Sequence, residues 1–271
     1  MREKSGVILK VIFIVITLSV FSGLIGTHIS SAQDKGVVEI EKILISDYKN
    51  MVQADYFERF DSLAPAFKEK LKTILSDRRT YEFPFDTLKK YITIVTSADK
   101  KLRIFSWDER TGGSAHQMTG IAQFTPTARD EDIRIADLEN DDEDGPIDDV
   151  IYYEIHDIQA DSRTYYMTFG RGTFGGGTHF KMIRAFKIAG NNLDFTDRIF
   201  QYKGKTGNEI ILLAPRVDTI YLRYIAGGQI IEFDELRIPA SYKAIGQYIA
   251  RPTGRKVRLK FDGKRFKAFK P

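Results

Sequence analysis

The chain has 271 residues, of which 42% are hydrophobic and 29% are charged, and its formal net charge is +4. This length predicts one or two domains, and the composition excludes wholesale disorder, a collagen-like fibre and a multi-spanning membrane protein. Cysteine is absent, which excludes disulfides, a thiol nucleophile, a thiolate metal site and a lipidated N-terminal cysteine.

The first residues have the pattern of a secretory signal peptide. Three basic residues precede an uncharged apolar stretch of fifteen residues at 11–25. That length suits a signal-peptide h-region better than a membrane span, which needs about 20 apolar residues. Small residues predict cleavage after Ala32, so residues 1–32 are interpreted as a signal peptide. We expect a periplasmic or secreted mature chain with no transmembrane span; an uncleaved N-terminal anchor is the alternative.

Residues 33–90 are predicted to form an N-terminal helical segment. Apolar residues recur at spacings of three and four from Val37 to Met51 and again from Phe60 to Ile74. This spacing indicates helices that each bury one face. We interpret the segment as a helical cap that packs on the rest of the chain; a helical hairpin that binds a partner is the alternative.

From residue 91 onward the apolar period changes to two, which predicts strands. Many short runs of this kind, separated by glycine, asparagine and aspartate turns, predict an antiparallel β domain at 91–271. No fixed internal repeat indicates a regular propeller. The predicted fold class is therefore mainly β, with an irregular propeller-like or sandwich body and an N-terminal helical cap.

Several strand-and-turn strings resemble those of a loose group of uncharacterised secreted proteins from Bacteroidetes-type bacteria. The strings are KLRIFSWDERTGGSAHQ, DDVIYYEIHDI, RTYYMTFGRG, IIEFDELRI and FDGKRF. The resemblance covers residues 90–270 and implies export and a β architecture. It assigns no functional residue. The segment SWDERTGG is also similar to the third strand and exit turn of a propeller blade.

An acidic segment at 129–149 is the candidate metal site. It contains eleven acids and two arginines, and its centre fits the pattern N-x-D-x-D-G-x-x-D. Calcium takes six to eight oxygen ligands, which alternating carboxylates on a sharply turning loop can supply. The candidate calcium ligands are Asn140, Asp142, Asp144 and Asp148. The segment resembles the calcium loops of FG-GAP repeats, although asparagine replaces the first aspartate; a solvated acidic loop without metal is the alternative.

A basic segment closes the chain. Nine basic residues and one acid lie between residues 251 and 270, interleaved with phenylalanines. In an exported protein this pattern favours an anionic polysaccharide, lipopolysaccharide or membrane surface over nucleic acid, which we do not expect as a partner. The candidate polyanion-binding residues are Arg258, Lys260, Lys264, Arg265 and Lys267. The alternative is a terminal hairpin whose charges are neutralised within the molecule by the acidic segment.

The remaining patterns assign no catalytic residue. Residues 170–175 match G-x-G-x-x-G, but a strand follows them, whereas a dinucleotide site needs a helix there. We interpret them as a flexible hairpin loop, and nothing in the pattern requires Arg171 to bind an anion. His116, His156 and His179 lack the short spacings of a zinc site. His156 beside Asp157 is a candidate oriented base, with a turn-capping histidine as the alternative.

We expect an exported, non-enzymatic binding or interaction module of the cell envelope, with an envelope protein or an anionic glycan as partner and calcium as the candidate cofactor. The alternative is a secreted hydrolase that acts on glycans or peptides through carboxylates or His156. An enzyme should place titratable groups with perturbed pKa values in a concave pocket. A binding module should instead expose a flat or aromatic surface.

Overall fold

The protein is mainly β and its strand pairs are antiparallel except for one, with a helical region on the N-terminal side. The computed structural model describes residues 35–111, 116–126, 132–138, 149–244 and 249–269. The predicted signal peptide and the candidate calcium ligands Asn140, Asp142, Asp144 and Asp148 lie outside the described residues. Of the helices within them, none combines the length and apolarity of a membrane span.

The helical region is built from a long first helix followed by shorter elements. They are α1 (residues 35–53), α2 (Tyr56–Glu58), a π-helical turn (Arg59–Leu63), α3 (Ala64–Leu75), and 3-10 turns at Arg78–Thr80 and Leu88–Lys90. One face of α1 is fully covered, with Val37, Leu44 and Met51 at most 1% exposed. The predicted helix from Val37 to Met51 is therefore confirmed. The second predicted helix is confirmed from Ala64 onward, with Phe67 and Leu71 buried, but its predicted start is wrong because Phe60 lies in the π-helical turn and is 47% exposed.

Three sheets follow the helices. The first contains β1 (Thr93–Thr96), β2 (Leu102–Asp108), β3 (Met118–Phe124) and β4 (Arg134–Asp137) in that order, all antiparallel. The second has the order β11-β7-β6-β5, with β8 paired to β7. Its strands are β5 (Ile151–Ala160), β6 (Arg163–Phe174), β7 (Thr178–Ala189), β8 (Asn192–Asp194) and β11 (Glu209–Pro215).

The third sheet has the order β10-β9-β15-β14-β13-β12, and its β15–β9 pair is parallel. Its strands are β9 (Phe200–Tyr202), β10 (Lys205–Gly207), β12 (Leu222–Ile225), β13 (Ile230–Arg237), β14 (Arg251–Phe261) and β15 (Phe266–Ala268). A short helix, α4 (Ala240–Ala244), lies between β13 and β14 in the chain. No closed barrel forms within the part of the chain described above.

The layers are held together by three separate apolar clusters. The helices pack on one face of the first sheet, around Trp107. The opposite face of that sheet packs on the second sheet, where Ile104 and Phe180 belong to one cluster. The other face of the second sheet packs on the third, where Ile183 and Phe233 meet. The prediction of an antiparallel β body with an N-terminal helical cap is confirmed; a propeller stays a prediction.

A buried arginine ties the helical region to the first sheet. Arg103 on β2 is 5% exposed, and its guanidinium donates hydrogen bonds to the carbonyls of Thr80, Tyr81 and Phe83. The same guanidinium lies 5.0 Å from the ring centroid of Phe105. Burial lowers the pKa of Arg103 to about 10. This one side chain therefore supplies hydrogen-bond donors to three backbone carbonyls in the segment between α3 and β1.

The prediction of a flexible loop at 170–175 is wrong for most of that segment, because β6 continues to Phe174. A Cβ on Gly172 would lie 2.3 Å from the carbonyl oxygen of Asp149 and 2.4 Å from the Phe180 ring. Glycine is therefore required there by the close approach of neighbouring chain. The turn itself lies at Gly176 and Gly177, whose φ angles of +69° and +76° favour glycine.

Candidate functional site

The candidate polyanion-binding residues lie together on β14, β15 and the turn that joins them. Two of the five are neutralised, because Arg258 pairs with Glu232 at 2.5 Å and Lys267 pairs with Asp262 at 2.7 Å. Lys260, Lys264 and Arg265 form no ion pair with the residues that the structure describes. The acids that neutralise this hairpin thus include members of β13 and of the hairpin turn itself.

Charges on the third sheet are paired across neighbouring strands. Glu232 is 3% exposed and lies directly opposite Arg258 on one side and Arg223 on the other. Its carboxylate accepts hydrogen bonds from both guanidinium groups and from the hydroxyl of Tyr221. The pKa of Glu232 is lowered, first by the hydrogen bond from Arg258. This network links the three strands β12, β13 and β14.

Glu232→Gln should lower the melting temperature at pH 7 and flatten its dependence on acid. A carboxyl whose folded pKa lies below its unfolded value of about 4.3 stabilises the fold above that value. That contribution is lost as pH falls through the folded pKa. We expect a loss of about 1–2 kcal/mol at pH 7 and a smaller further loss between pH 5 and pH 3 than in the wild type, measured by calorimetry.

The control for this prediction is Glu69→Gln, because the Glu69 side chain is 69% exposed in its pair with Lys72. An exposed pair of this kind contributes little to stability. Equal shifts for the two variants would contradict the role assigned to the Glu232 network.

His156 does not pair with Asp157, so the predicted oriented base has a different partner. Its Nε2 lies 2.6 Å from Oε1 of Glu154. The Asp157 carboxylate instead accepts hydrogen bonds from the backbone N–H groups of Ala98 and Asp99. Burial raises the pKa of Asp157 more than these bonds lower it. Sequence adjacency suggested the wrong carboxylate because neighbouring residues on a strand point to opposite faces.

A cleft of about 520 Å³ opens where α1, β2 and the β6–β7 hairpin meet. Tyr48, Trp107 and Phe180 are among its lining residues, but these residues are at most 7% exposed. Its basic lining residues are Arg110, His116, Arg171, His179 and Lys181. Asp108 is the one acid among the described residues that line it. The described lining of the cleft therefore carries an excess of positive charge.

Two of these cations lie directly opposite one another. Arg171 on β6 is the register partner of Lys181 on β7. The pKa of Lys181 is lowered, first by burial and then by the positive charge of Arg171. Like charges at opposed positions of a sheet destabilise it. The hairpin therefore carries an unfavourable pair at the cleft.

The histidines of the cleft differ in their partners. His116 Nδ1 lies 2.7 Å from Oδ2 of Asp108, and the His116 backbone N–H donates to the hydroxyl of Thr173. Nε2 of His179 is buried without a hydrogen-bond partner among the described residues, and so is Nε1 of Trp107. Buried polar atoms without partners are rare and commonly mark a bound water, an ion or a functional role.

Three exposed aromatic side chains lie beside the helical corner. Tyr56, Phe57 and Phe60 are 49%, 74% and 47% exposed, and we call them the aromatic surface. The rings of Tyr56 and Phe60 are stacked, with centroids 6.1 Å apart and planes within 8°. Arg59, between them in sequence, donates hydrogen bonds to carbonyls at the end of α1 and to the carbonyl of Arg110. The corner that carries these rings is thus anchored to its surroundings.

No protein-family model matches the chain, and no curated protein matches its sequence. The resemblance to secreted proteins of Bacteroidetes-type bacteria therefore stays a prediction.

Proposed function

We propose that the protein is an exported, non-enzymatic binding module of the cell envelope, and that the aromatic surface is where it contacts its partner. The observation that carries this proposal is the exposure of Tyr56, Phe57 and Phe60 together at one corner. Clustered apolar exposure of this kind is uncommon on monomers and is typical of interaction sites. Aromatic residues are also enriched at the centres of protein interfaces.

The anchoring of the corner supports this proposal. Because Arg59 holds the end of α1 and the carbonyl of Arg110 at once, the backbone that presents the aromatic rings is fixed before binding. Side chains presented on a fixed backbone lose less conformational entropy when a partner covers them. An exposed aromatic surface was also the feature expected of a binding module rather than an enzyme.

The hydrogen bonds of the Ser106 hydroxyl in the cleft support a non-enzymatic role. The hydroxyl of Ser106, which lines the cleft, exchanges hydrogen bonds with the backbone of Tyr152. It therefore has no activating base of the kind that a serine nucleophile needs. The nearby His116–Asp108 pair lacks a hydrogen bond from that hydroxyl among the described contacts. The hydrolase alternative rests on the His156–Glu154 pair instead.

Two further parts of the proposal rest on the sequence. Calcium would be held by Asn140, Asp142, Asp144 and Asp148, and would stabilise the module without entering a reaction. Lys260, Lys264 and Arg265 are the members of the basic hairpin that keep positive charge for an anionic glycan of the envelope. The signal-peptide pattern supports export to the compartment where such partners occur.

The test is co-sedimentation of the purified protein with the envelope fraction of the cells that make it. Phe57→Ser combined with Phe60→Ser should weaken binding by at least tenfold, since interface aromatics commonly contribute about 2 kcal/mol or more. The matched control is Val217→Ser, which removes an apolar side chain that is 86% exposed elsewhere. The control should bind like the wild type.

Equal binding by both variants would contradict the role of the aromatic surface. A second outcome addresses the hydrolase alternative. Release of reducing sugars or free amines from the envelope fraction, abolished by His156→Ala, would replace the binding module with an enzyme.

A further inference from the structure

The cleft holds cationic side chains that form no ion pair within the described part of the protein, although the charge of Asp234 acts on Lys181 and raises its pKa against the effects of burial and Arg171. Arg110, Arg171 and Lys181 line it, and none of them forms an ion pair with a described residue. The one acid of the described lining, Asp108, is engaged by His116 at 2.7 Å. The cleft thus presents positive charge at a concave surface, where low-dielectric walls strengthen the field that an anion experiences.

The third sheet shows what this chain does with opposed charges elsewhere. There Glu232 lies opposite Arg258 and Asp234 lies opposite Lys256, and both pairs are closed by ion pairs. On the second sheet the opposed pair is Arg171 and Lys181, two cations. A like-charged pair of this kind destabilises the sheet, and such unfavourable features are expected where function requires them. An anion between the two side chains would turn repulsion into attraction.

Two buried hydrogen-bonding atoms belong to residues that line the same cleft. Nε1 of Trp107 is a donor, and Nε2 of His179 is either a donor or an acceptor depending on the tautomer. Neither finds a partner among the described residues. Leaving such atoms unpaired carries the full desolvation penalty of each group. The residues around the cleft thus include two buried groups whose desolvation is not compensated within the described part of the chain.

We propose that this cleft binds a small organic anion, with its carboxylate or phosphate group between Arg171 and Lys181. A guanidinium binds either oxyanion through two parallel hydrogen bonds. The volume of about 520 Å³ lies within the range of about 300–1,000 Å³ of small-molecule sites. A volume of this size suits a small molecule.

The chain contains a single tryptophan, and this residue, Trp107, lines the cleft. Its fluorescence therefore reports on the site without a label. The full chain is titrated with glucuronate, glucose 6-phosphate, inorganic phosphate and glucose. We expect a saturable change with glucuronate or with glucose 6-phosphate, at least tenfold tighter than with glucose and weakened by salt. Which acidic sugar binds tighter distinguishes a carboxylate from a phosphate ligand.

Arg171→Gln should weaken the acidic sugar that binds by at least tenfold. The matched control is Arg255→Gln, which removes an exposed arginine on β14, away from the cleft, and should leave binding unchanged. Equal responses to glucose and to the acidic sugars would overturn the proposal, as would tighter binding of inorganic phosphate than of either acidic sugar. Absence of any saturable change would overturn it as well.

A second measurement does not depend on the Arg171 variant folding. Lys181→Gln removes the like-charge contact, so it should raise the melting temperature of the ligand-free protein by about 1–3 °C while abolishing the stabilisation by the acidic sugar. A lower melting temperature with the ligand effect retained would make Lys181 a structural residue and overturn the proposal. Since the cleft shares no residue with the aromatic surface, either proposal can fail while the other holds.

Discussion

Alanine in place of Gly172 is expected to lower the free energy of unfolding by about 2–3 kcal/mol, the upper part of the range for overpacked sites. The added Cβ would meet the carbonyl oxygen of Asp149 at 2.3 Å and the Phe180 ring at 2.4 Å. The ring is held in the cluster between the first two sheets, and the oxygen is backbone, so neither can move aside freely. Urea unfolding followed by far-UV circular dichroism measures the loss.

The control is Gly175→Ala, three residues further along the same hairpin. A Cβ at Gly175 would meet nothing within 4 Å. We expect its stability to change by less than about 0.5 kcal/mol, as for most surface substitutions. If both variants lost the same stability, the close approach to β6 would not be what requires Gly172.

Arg103→Met is expected to lower the free energy of unfolding by about 2–3 kcal/mol, the upper part of the range for leaving buried polar groups without a hydrogen-bond partner. Methionine keeps much of the apolar stem, so the loss isolates the hydrogen bonds to the carbonyls of Thr80, Tyr81 and Phe83. Those carbonyls would be left without their charged donor. The measurement is again urea unfolding.

Arg237→Met is the control for the buried arginine. The Arg237 side chain is 63% exposed and pairs with Glu235, two residues away. Its loss should cost less than about 1 kcal/mol. Comparable losses for Arg103→Met and Arg237→Met would show that the carbonyl contacts of Arg103 do not hold the helical region in place.

The elements of this fold are predictable from the sequence because each has a local signal. The spacing of Val37, Leu44 and Met51 indicates a helix with one covered face, and that face is covered. The period of two after residue 91 indicates strands, and strands are found there. The packing order of the sheets has no such signal, since it depends on which faces meet across long stretches of chain.

The end of β6 shows how glycines inside a strand can wrongly predict a loop. Gly170, Gly172 and Gly175 together are typical of a loop, but the first two lie inside the strand. They are glycines because Val150 and Asp149 approach them closely, a contact with chain about twenty residues earlier. Turn preference and close approach select the same residue type, so the sequence does not separate them.

One feature of the cleft, the pairing of Arg171 with Lys181, is predictable from the sequence. Once the turn is placed at Gly176 and Gly177, strand pairing sets Arg171 opposite Lys181, and the like charges become visible. The rest was not, because Tyr48, Trp107 and Phe180 come from α1, β2 and β7, and no sequence spacing relates them. His156 was singled out for a neighbour, Asp157, that it does not contact.

The stacking of the layers has a consequence for how the molecule opens. The second sheet is covered on both faces, whereas the third sheet and the helices each pack on a single neighbouring layer. Regions with fewer buried contacts detach at lower free energy than the global unfolding of the chain. Amide protons of β6 and β7 should therefore exchange most slowly, and the helical region, which carries the aromatic surface, belongs to the layers that can loosen while the centre stays folded.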